Sequence, residues 1–341
     1  MLSSPALCAG LLVVATMAAI AKAEPAAPKP VDAPWRQQAD RWHDQVYVWV
    51  QRQLQDLDGV LASESVIPNA GDRSRATDET ESRSPFRLEL DLSVGDFASG
   101  SALSSAARFD IDLQLPQLER RLRVFLTTDD VSETLSDAAE EWRAGLRLQA
   151  FQGADLELGI KLHTPPVAFA AVRWGRELGQ GPWRIHPFAK VFIDSEQGFG
   201  ASSALVMDHW DEGFLWRSSS SIVGLPRDSR FLWSQSWVVA QTHEVLYAGR
   251  PLTRVASRDI VDGWGLELGV GGEGARTLER ELAVFYKQPL QSDWLFLSVR
   301  PYWRSTRRLA MGSGWERDVG LSVGLDLLFW DLAGQRLAAL K

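Results

Sequence analysis

The chain has 341 residues, a formal charge of −8 and a mean hydropathy of −0.14. An acidic balance argues against nucleic acid as a partner, because neutralising phosphates needs a net basic surface. A single cysteine, Cys8, excludes a disulfide scaffold. Beyond the N-terminus no apolar run reaches the ~18 residues of a transmembrane helix.

In chain order, the first element is a targeting segment. Leu7 to Ile20 are almost all small or apolar, and Ala21-Lys22-Ala23 fits a small-residue cleavage site. Residues 1–23 are therefore expected to be a signal peptide, with the mature chain starting near Glu24. Cys8 leaves with it, so a cysteine nucleophile is excluded as well.

Residues 24–61 form the next region. Over 34–61 Trp42, Val46, Trp49, Val50, Leu54, Leu57 and Leu61 recur at helical spacing, with Arg41, Asp44, Arg52 and Asp56 between them. The spacing predicts one amphipathic helix, started by Pro34 and ended near Gly59. Residues 62–84 are polar and low in complexity, which predicts a flexible linker.

From Pro85 to Trp330 the period changes to two. Phe86, Leu88, Leu90, Leu92 and Val94 alternate with Arg87, Glu89, Asp91 and Ser93. The same alternation marks 109–115, 155–163 and 319–329. Strand patterns of about ten residues, repeated with turns between them, are the mark of a membrane β-barrel. The pattern predicts an all-β fold, an antiparallel up-and-down transmembrane barrel preceded by one helix. Its strands fall near 85–94, 105–115, 121–128, 142–151, 154–163, 167–178, 182–194, 199–210, 213–223, 231–249, 254–271, 278–287, 293–305 and 317–330. That makes fourteen, with twelve as the alternative because 231–271 divides badly. Many of the 15 tryptophans sit near strand ends, among them Trp142, Trp174, Trp183, Trp210, Trp216, Trp264, Trp294 and Trp303, as an interfacial aromatic belt requires. The expected place is the outer membrane of a Gram-negative cell. Parity puts the turns near Pro116, Gly153, Gly181, Glu212, Pro251 and Pro289 on the periplasmic side. The segments near 96–104, 129–141, 195–198, 225–230, 272–277 and 306–316 then face outside, and 129–141 is acidic.

Two strings resemble a known family. The run from Phe109 to Leu126 followed by Asp129-Asp130 looks like a strand–turn–strand unit of an uncharacterised proteobacterial outer-membrane barrel family. Asp293 to Pro301 is similar to that family's penultimate strand, and the tryptophan helix also fits. The resemblance covers about residues 34–330 and implies fold and location without any activity. One departure is the tail: those barrels usually end at the terminal aromatic, whereas Asp331 to Lys341 follow Trp330 here.

A search for enzyme chemistry finds no site. None of His43, His163, His186, His209 and His243 has a serine two residues on with an asparagine nearby. Asp208 and His209 are adjacent, so on a strand they point to opposite faces and read as a strand-end pair at the rim. Histidine and thiol spacings for a metal are missing. Gly271-Gly272-Glu273-Gly274 lacks the lysine of a phosphate loop and reads as a hairpin tip. No cofactor is expected. The candidate functional residues are the polar sides of the alternating runs, expected to line a lumen: Arg87, Asp91, Asp110, Asp112, Arg121, Arg123, Arg143, Arg147, Glu157, Lys161, Arg184, Lys190, Arg300 and Arg304. Such a lining serves a passive channel or small-solute transporter. The alternative is a closed structural or adhesion barrel that binds a partner through its helix or loops. Expected partners are outer-membrane lipid and lipopolysaccharide, the barrel-insertion machinery during assembly, and a periplasmic partner for the helix.

Overall fold

The computed structural model describes residues 34–64, 86–95, 102–114, 122–128, 142–151, 153–162, 164–196, 198–211, 213–225, 227, 230–242, 260, 262–290, 294–307 and 314–329. The expected signal peptide, nearly all of the linker, the acidic 129–141 segment and the tail lie outside the described residues. The chain divides into two compact units, 1–45 and 46–341.

Helix α1 (Pro34–Glu64) runs one turn past its predicted end and crosses that division. Gly59 does not stop it. Trp42 and Trp49 on it are exposed.

The second unit contains the sheet. Its strands are β1 (Phe86–Gly95), β2 (Ala102–Gln114), β3 (Leu122–Thr127), β4 (Arg143–Phe151), β5 (Ala154–Lys161), β6 (Val167–Gly175), β7 (Leu178–Gln180), β8 (Trp183–Asp194), β9 (Gly198–Asp211), β10 (Phe214–Leu225), β11 (Arg230–Gln241), β12 (Gly263–Glu273), β13 (Arg276–Pro289), β14 (Leu295–Thr306) and β15 (Glu316–Phe329). Each pairs antiparallel with its chain neighbour, except that β6 and β7 do not pair; β1 pairs β15, and β6 and the short β7 both pair β8. The sheet therefore closes into a ring of fourteen staves, with β7 continuing the β6 stave along the end of β8. Twelve strands are ruled out. The expected 231–249 strand ends at Gln241, and the expected 254–271 strand begins at Gly263.

Closure fixes the two faces. Because side chains alternate along a strand, following the register round the ring assigns every position to one face. The exposed large apolar residues fall on one parity: Leu90, Leu92, Leu146, Leu158, Val172, Val191, Leu205, Val239, Leu266, Leu282 and Val323. The charged residues buried at mid-strand fall on the other. This is the inverse of a soluble protein and the pattern of a barrel standing in lipid. At one end the outward ring carries Trp174, Trp183, Trp216 and Trp264. Trp183 packs edge-on against His209 and Trp216, with centroids 4.5 and 5.9 Å away. Trp210, expected in that belt, instead lies on the inner face.

That tryptophan end also holds the tight turns at Gly153, Gly181 and Gly213, where a positive φ favours glycine. The opposite end holds the connections at 96–101, 128–142, 195–197, 226–229, 274–275 and 307–315. The 162–166 link, left unassigned by the sequence pattern, belongs with them.

Inward aromatic rings lie on glycines of the next strand. A Cβ at Gly159 would stand 2.9 Å from the Phe169 ring, one at Gly265 2.7 Å from Phe285, and one at Gly200 2.3 Å from Phe192. Gly200→Val is thus expected to force Phe192 off its seat and cost about 1–3 kcal/mol, read as a lower urea midpoint in lipid vesicles. An unchanged midpoint would mean the ring has another place to go.

Candidate functional site

The inner wall separates by charge. At the described inward positions of β3–β8, seven cations (Arg123, Arg143, Arg147, Lys161, Arg173, Arg184, Lys190) outnumber three carboxylates (Asp155, Glu157, Asp194). Glu157 is their hub: Arg147 Nε donates to it at 2.8 Å, Arg173 Nη1 at 3.1 Å, and Lys190 Nζ stands 3.6 Å away. Lys161 pairs with Asp194 at 3.2 Å. Phenyl faces fill the spaces between the cations. The Arg147 guanidinium lies 5.0 Å from the Phe125 centroid and that of Arg173 5.4 Å from Phe188, so these two cations have a quadrupole partner as well as a carboxylate neighbour.

The arc formed by β12–β15 and β1 has the opposite balance. Leaving aside the terminal residues of the strands, where Glu273 and Glu316 add to the same sign, seven carboxylates (Glu267, Glu279, Glu281, Asp318, Asp326, Glu89, Asp91) outnumber Lys287, Arg300, Arg304 and Arg87. Arg300 donates to Glu267 at 3.1 Å and also to Glu281, while Arg304 Nε donates to Glu281 at 2.7 Å. Arg87 makes a forked contact to Asp326, at 2.9 and 3.0 Å from Nη2, and Lys287 pairs with the same carboxylate. In a ring of fourteen, β13 stands seven staves from β5 in either direction, so the acidic arc faces the cationic one.

Between them, part of the inner face of β9–β11 is closed to solvent, while Ser219, Ser221 and Ser234 on the same face keep some exposure. Val206, Asp208, Leu215, Arg217, Val223 and Val238 expose no surface. On the β11 side of this face, Ser234, Ser236, Glu267, Gly269, Glu281 and Arg304 line a recess of about 90 Å³. Space there comes from missing side chains: a Cβ on Gly269 would meet only Glu281, at 3.9 Å. At the tryptophan end Ile260, from the link between β11 and β12, is fully buried against Leu215, Val238, Ala240 and Phe285 on the inner wall, with Trp210 beside them. Thr242 Oγ1 donates to Asp262 at 3.1 Å and holds the base of that link. Ile260→Ala is expected to cost about 2–5 kcal/mol and to widen this mouth, which a larger conductance step would reveal. No change in either quantity would mean that Ile260 neither braces nor narrows the mouth.

Most of the sequence-predicted residues stand on this inner face. Arg143, Arg147, Glu157, Lys161 and Lys190 are buried together in the cationic arc. Arg123 is half-buried there, and Arg184 sits near the mouth, 4.0 Å from Glu177. Arg87, Arg300 and Arg304 belong to the acidic arc, as does Asp91, which accepts from Ser322 at 3.3 Å. Asp110 and Asp112 take inward register positions on β2, opposite Arg87 and Phe125. Their side chains, and Arg121 altogether, lie outside the described residues. The reading of Asp208 and His209 as a rim pair is corrected. Asp208 is fully buried on the inner face with Arg217, whereas His209 is outward against Trp183. Sequence reasoning missed Arg173, Asp194, Arg217, Glu267, Glu279, Glu281, Lys287 and Asp326. Among the described residues, no group of three or more metal-type ligands comes together.

A closed antiparallel ring with an apolar outer belt and a charged inner wall defines a transmembrane β-barrel. Even-numbered single-chain barrels of this kind are bacterial outer-membrane proteins, so the chain is an outer-membrane barrel. No protein-family model and no curated protein matches it. Solved structures similar to it include the outer membrane protein OprD from Pseudomonas aeruginosa (8% identity, 72% of this chain and 92% of that one, TM-score 0.37). Others are the outer membrane protein OpdK from Pseudomonas aeruginosa (9%, 72% and 99%, 0.38) and the outer membrane channel DcaP of Acinetobacter baumannii (9%, 72% and 96%, 0.38). At these identities the likeness concerns architecture alone.

Proposed function

We propose that this barrel is a passive channel for small charged solutes. The observation that carries the reading is a fourteen-stave ring with a charge-divided inner wall. About eight staves give an interior that wall side chains just fill, whereas sixteen to eighteen leave a water channel. Fourteen staves exceed what their own side chains fill. Cations on one arc and carboxylates on the facing arc set a field across the path, which filters and orients whatever passes. The chemistry is diffusion, with no cofactor and no bond made or broken, so the reading is of a transporter and not an enzyme. Lipid, lipopolysaccharide and the insertion machinery are its proposed surroundings. Membership of the uncharacterised barrel family with the tryptophan helix belongs to the same proposal, supported by the strings at 109–130 and 293–301.

One observation favours a closed structural barrel instead. The solvent-free part of the inner face of β9–β11 and the apolar knot around Ile260 both subtract from the lumen. Conductance separates the two readings. Residues 24–341, refolded in detergent and added to a planar bilayer, are expected to give discrete current steps. Arg123→Glu is then expected to move the reversal potential in a salt gradient toward cations. A barrel that keeps its heat-sensitive gel mobility but gives no steps, with and without residues 24–84, would overturn the channel reading.

A further inference from the structure

Among the described residues the outer belt carries a polar cluster on β9–β11, apart from the single outward Ser105 on β2, opposite Leu92. At mid-strand the described outward positions of β1, β3–β6, β8 and β12–β15 are apolar. On β9–β11 four outward positions are instead Ser203, Ser218, Ser220 and Gln235, contiguous through the pairings Leu205↔Ser220↔Gln235 and Met207↔Ser218↔Trp237. They lie midway along their strands, at the depth where hydrocarbon offers a polar group nothing to bond. Gln235 Nε2 donates to Ser218 Oγ at 3.0 Å and to Ser236 O at 3.1 Å, and Ser220 donates to Gln235 Oε1. These bonds use the amide donors and leave acceptor capacity on Gln235 Oε1 and on the hydroxyls. Ser203 Oγ donates to Phe188 O at 3.1 Å, and Ser218 is buried beneath the patch, so Ser203, Ser220 and Gln235 are the groups a neighbour reaches. Beside the patch, outward positions of β6, β8 and β9 are Ala168, Ala170, Ala189 and Ala201, so the surface there is low enough for another backbone to approach closely.

We propose that the outward face of β6–β11 is the interface with a second copy of this chain, packed about a two-fold axis through the serine–glutamine patch. Gln235 Oε1 and the hydroxyl oxygens accept, and a hydroxyl proton can turn from its bond within the chain to an oxygen of the neighbour, so the patch can complement itself, which is what an isologous contact requires. Five staves about 4.8 Å apart, under an apolar band about 25 Å tall, present about 600 Å². Two copies would then bury about 1,200 Å², the lower edge of specific interfaces. Lipid on the same face would leave the patch facing acyl chains.

The interface rests on the membrane-barrel reading and is independent of whether the lumen conducts. Full-length protein carrying Ser220→Cys is tested in native membranes under mild oxidation. Cys8 lies in the expected leader, so the introduced thiol is the reporter. A covalent dimer is expected for Ser220→Cys and none for Leu92→Cys, which is exposed on β1, on the far side of the ring from β9. Light scattering in mild detergent should give twice the chain mass. The triple variant Ser218→Leu, Ser220→Leu, Gln235→Leu should halve that mass and keep its heat-sensitive mobility. A single-chain mass with no Ser220→Cys cross-link overturns the proposal, and so does cross-linking to a different protein. If the triple variant does not fold, the cysteine pair decides alone.

Discussion

Asp208→Asn is expected to remove roughly 3–5 kcal/mol of folding stability. Asp208 and Arg217 stand directly across from each other on β9 and β10, and neither exposes any surface. Arg217 Nε donates to Oδ1 at 2.8 Å and Nη2 to Oδ2 at 3.0 Å, a forked contact between planar groups. Around them Val206, Leu215 and Val238 are fully buried, and Arg184 on β8 is the cross-strand neighbour of Asp208. An asparagine keeps the shape but not the charge, so the guanidinium keeps its full desolvation cost without its ion partner. Replacing the pair together, Asp208→Leu with Arg217→Met, should restore most of the loss, because the cost lies in separation and not in absence. Urea unfolding of the two variants in lipid vesicles measures both effects. An Asn variant as stable as the parent would show that water reaches this face.

Much of the barrel was legible because lipid outside and charge inside make alternation strict. Runs such as Leu156, Leu158 and Ile160 against Asp155, Glu157 and Lys161 can fold in only one orientation. The same contrast revealed Arg143, Arg147 and Glu157 as inward groups. It failed where both faces are apolar. Arg173 shares its inward face with Phe169 and Ala171, and lies between outward Ala170, Val172 and Trp174, so one charge in an apolar run looked like noise. Trp237 to Ala240 hid the end of β11 in the same way, because inward Val238 and Ala240 pack on Ile260 instead of facing water. Glu267, Glu281 and Asp326 acquire meaning only with their partners. Arg87 and Asp326 are 239 residues apart in sequence and meet because the first strand closes on the last. Alternation says which face a residue takes, and closure says who stands beside it.

Glu157→Gln is expected to act on both stability and selectivity. Glu157 is buried, with Arg147, Arg173 and Lys190 all drawn to its carboxylate. A glutamine still accepts one hydrogen bond, but the three cations then lose the carboxylate they share, and Asp155 stands 3.9 Å from Arg173 alone. A loss of roughly 3–5 kcal/mol follows from stranding buried charge, unless anions from solution enter and compensate. That exception makes the variant informative. In a conducting barrel the cationic arc lies along the water path, so chloride can take the place of the lost carboxylate. The reversal potential should move toward anions, and the stability loss should shrink as salt is raised. Arg304→Gln on the facing arc should move the potential the other way, since it leaves Glu279 and Glu281 less neutralised. In a closed barrel neither selectivity term exists, and the Glu157→Gln loss should not depend on salt, because screening acts weakly on charges that ions cannot approach. Shifts of opposite sign from two facing arcs would place both along one aqueous path.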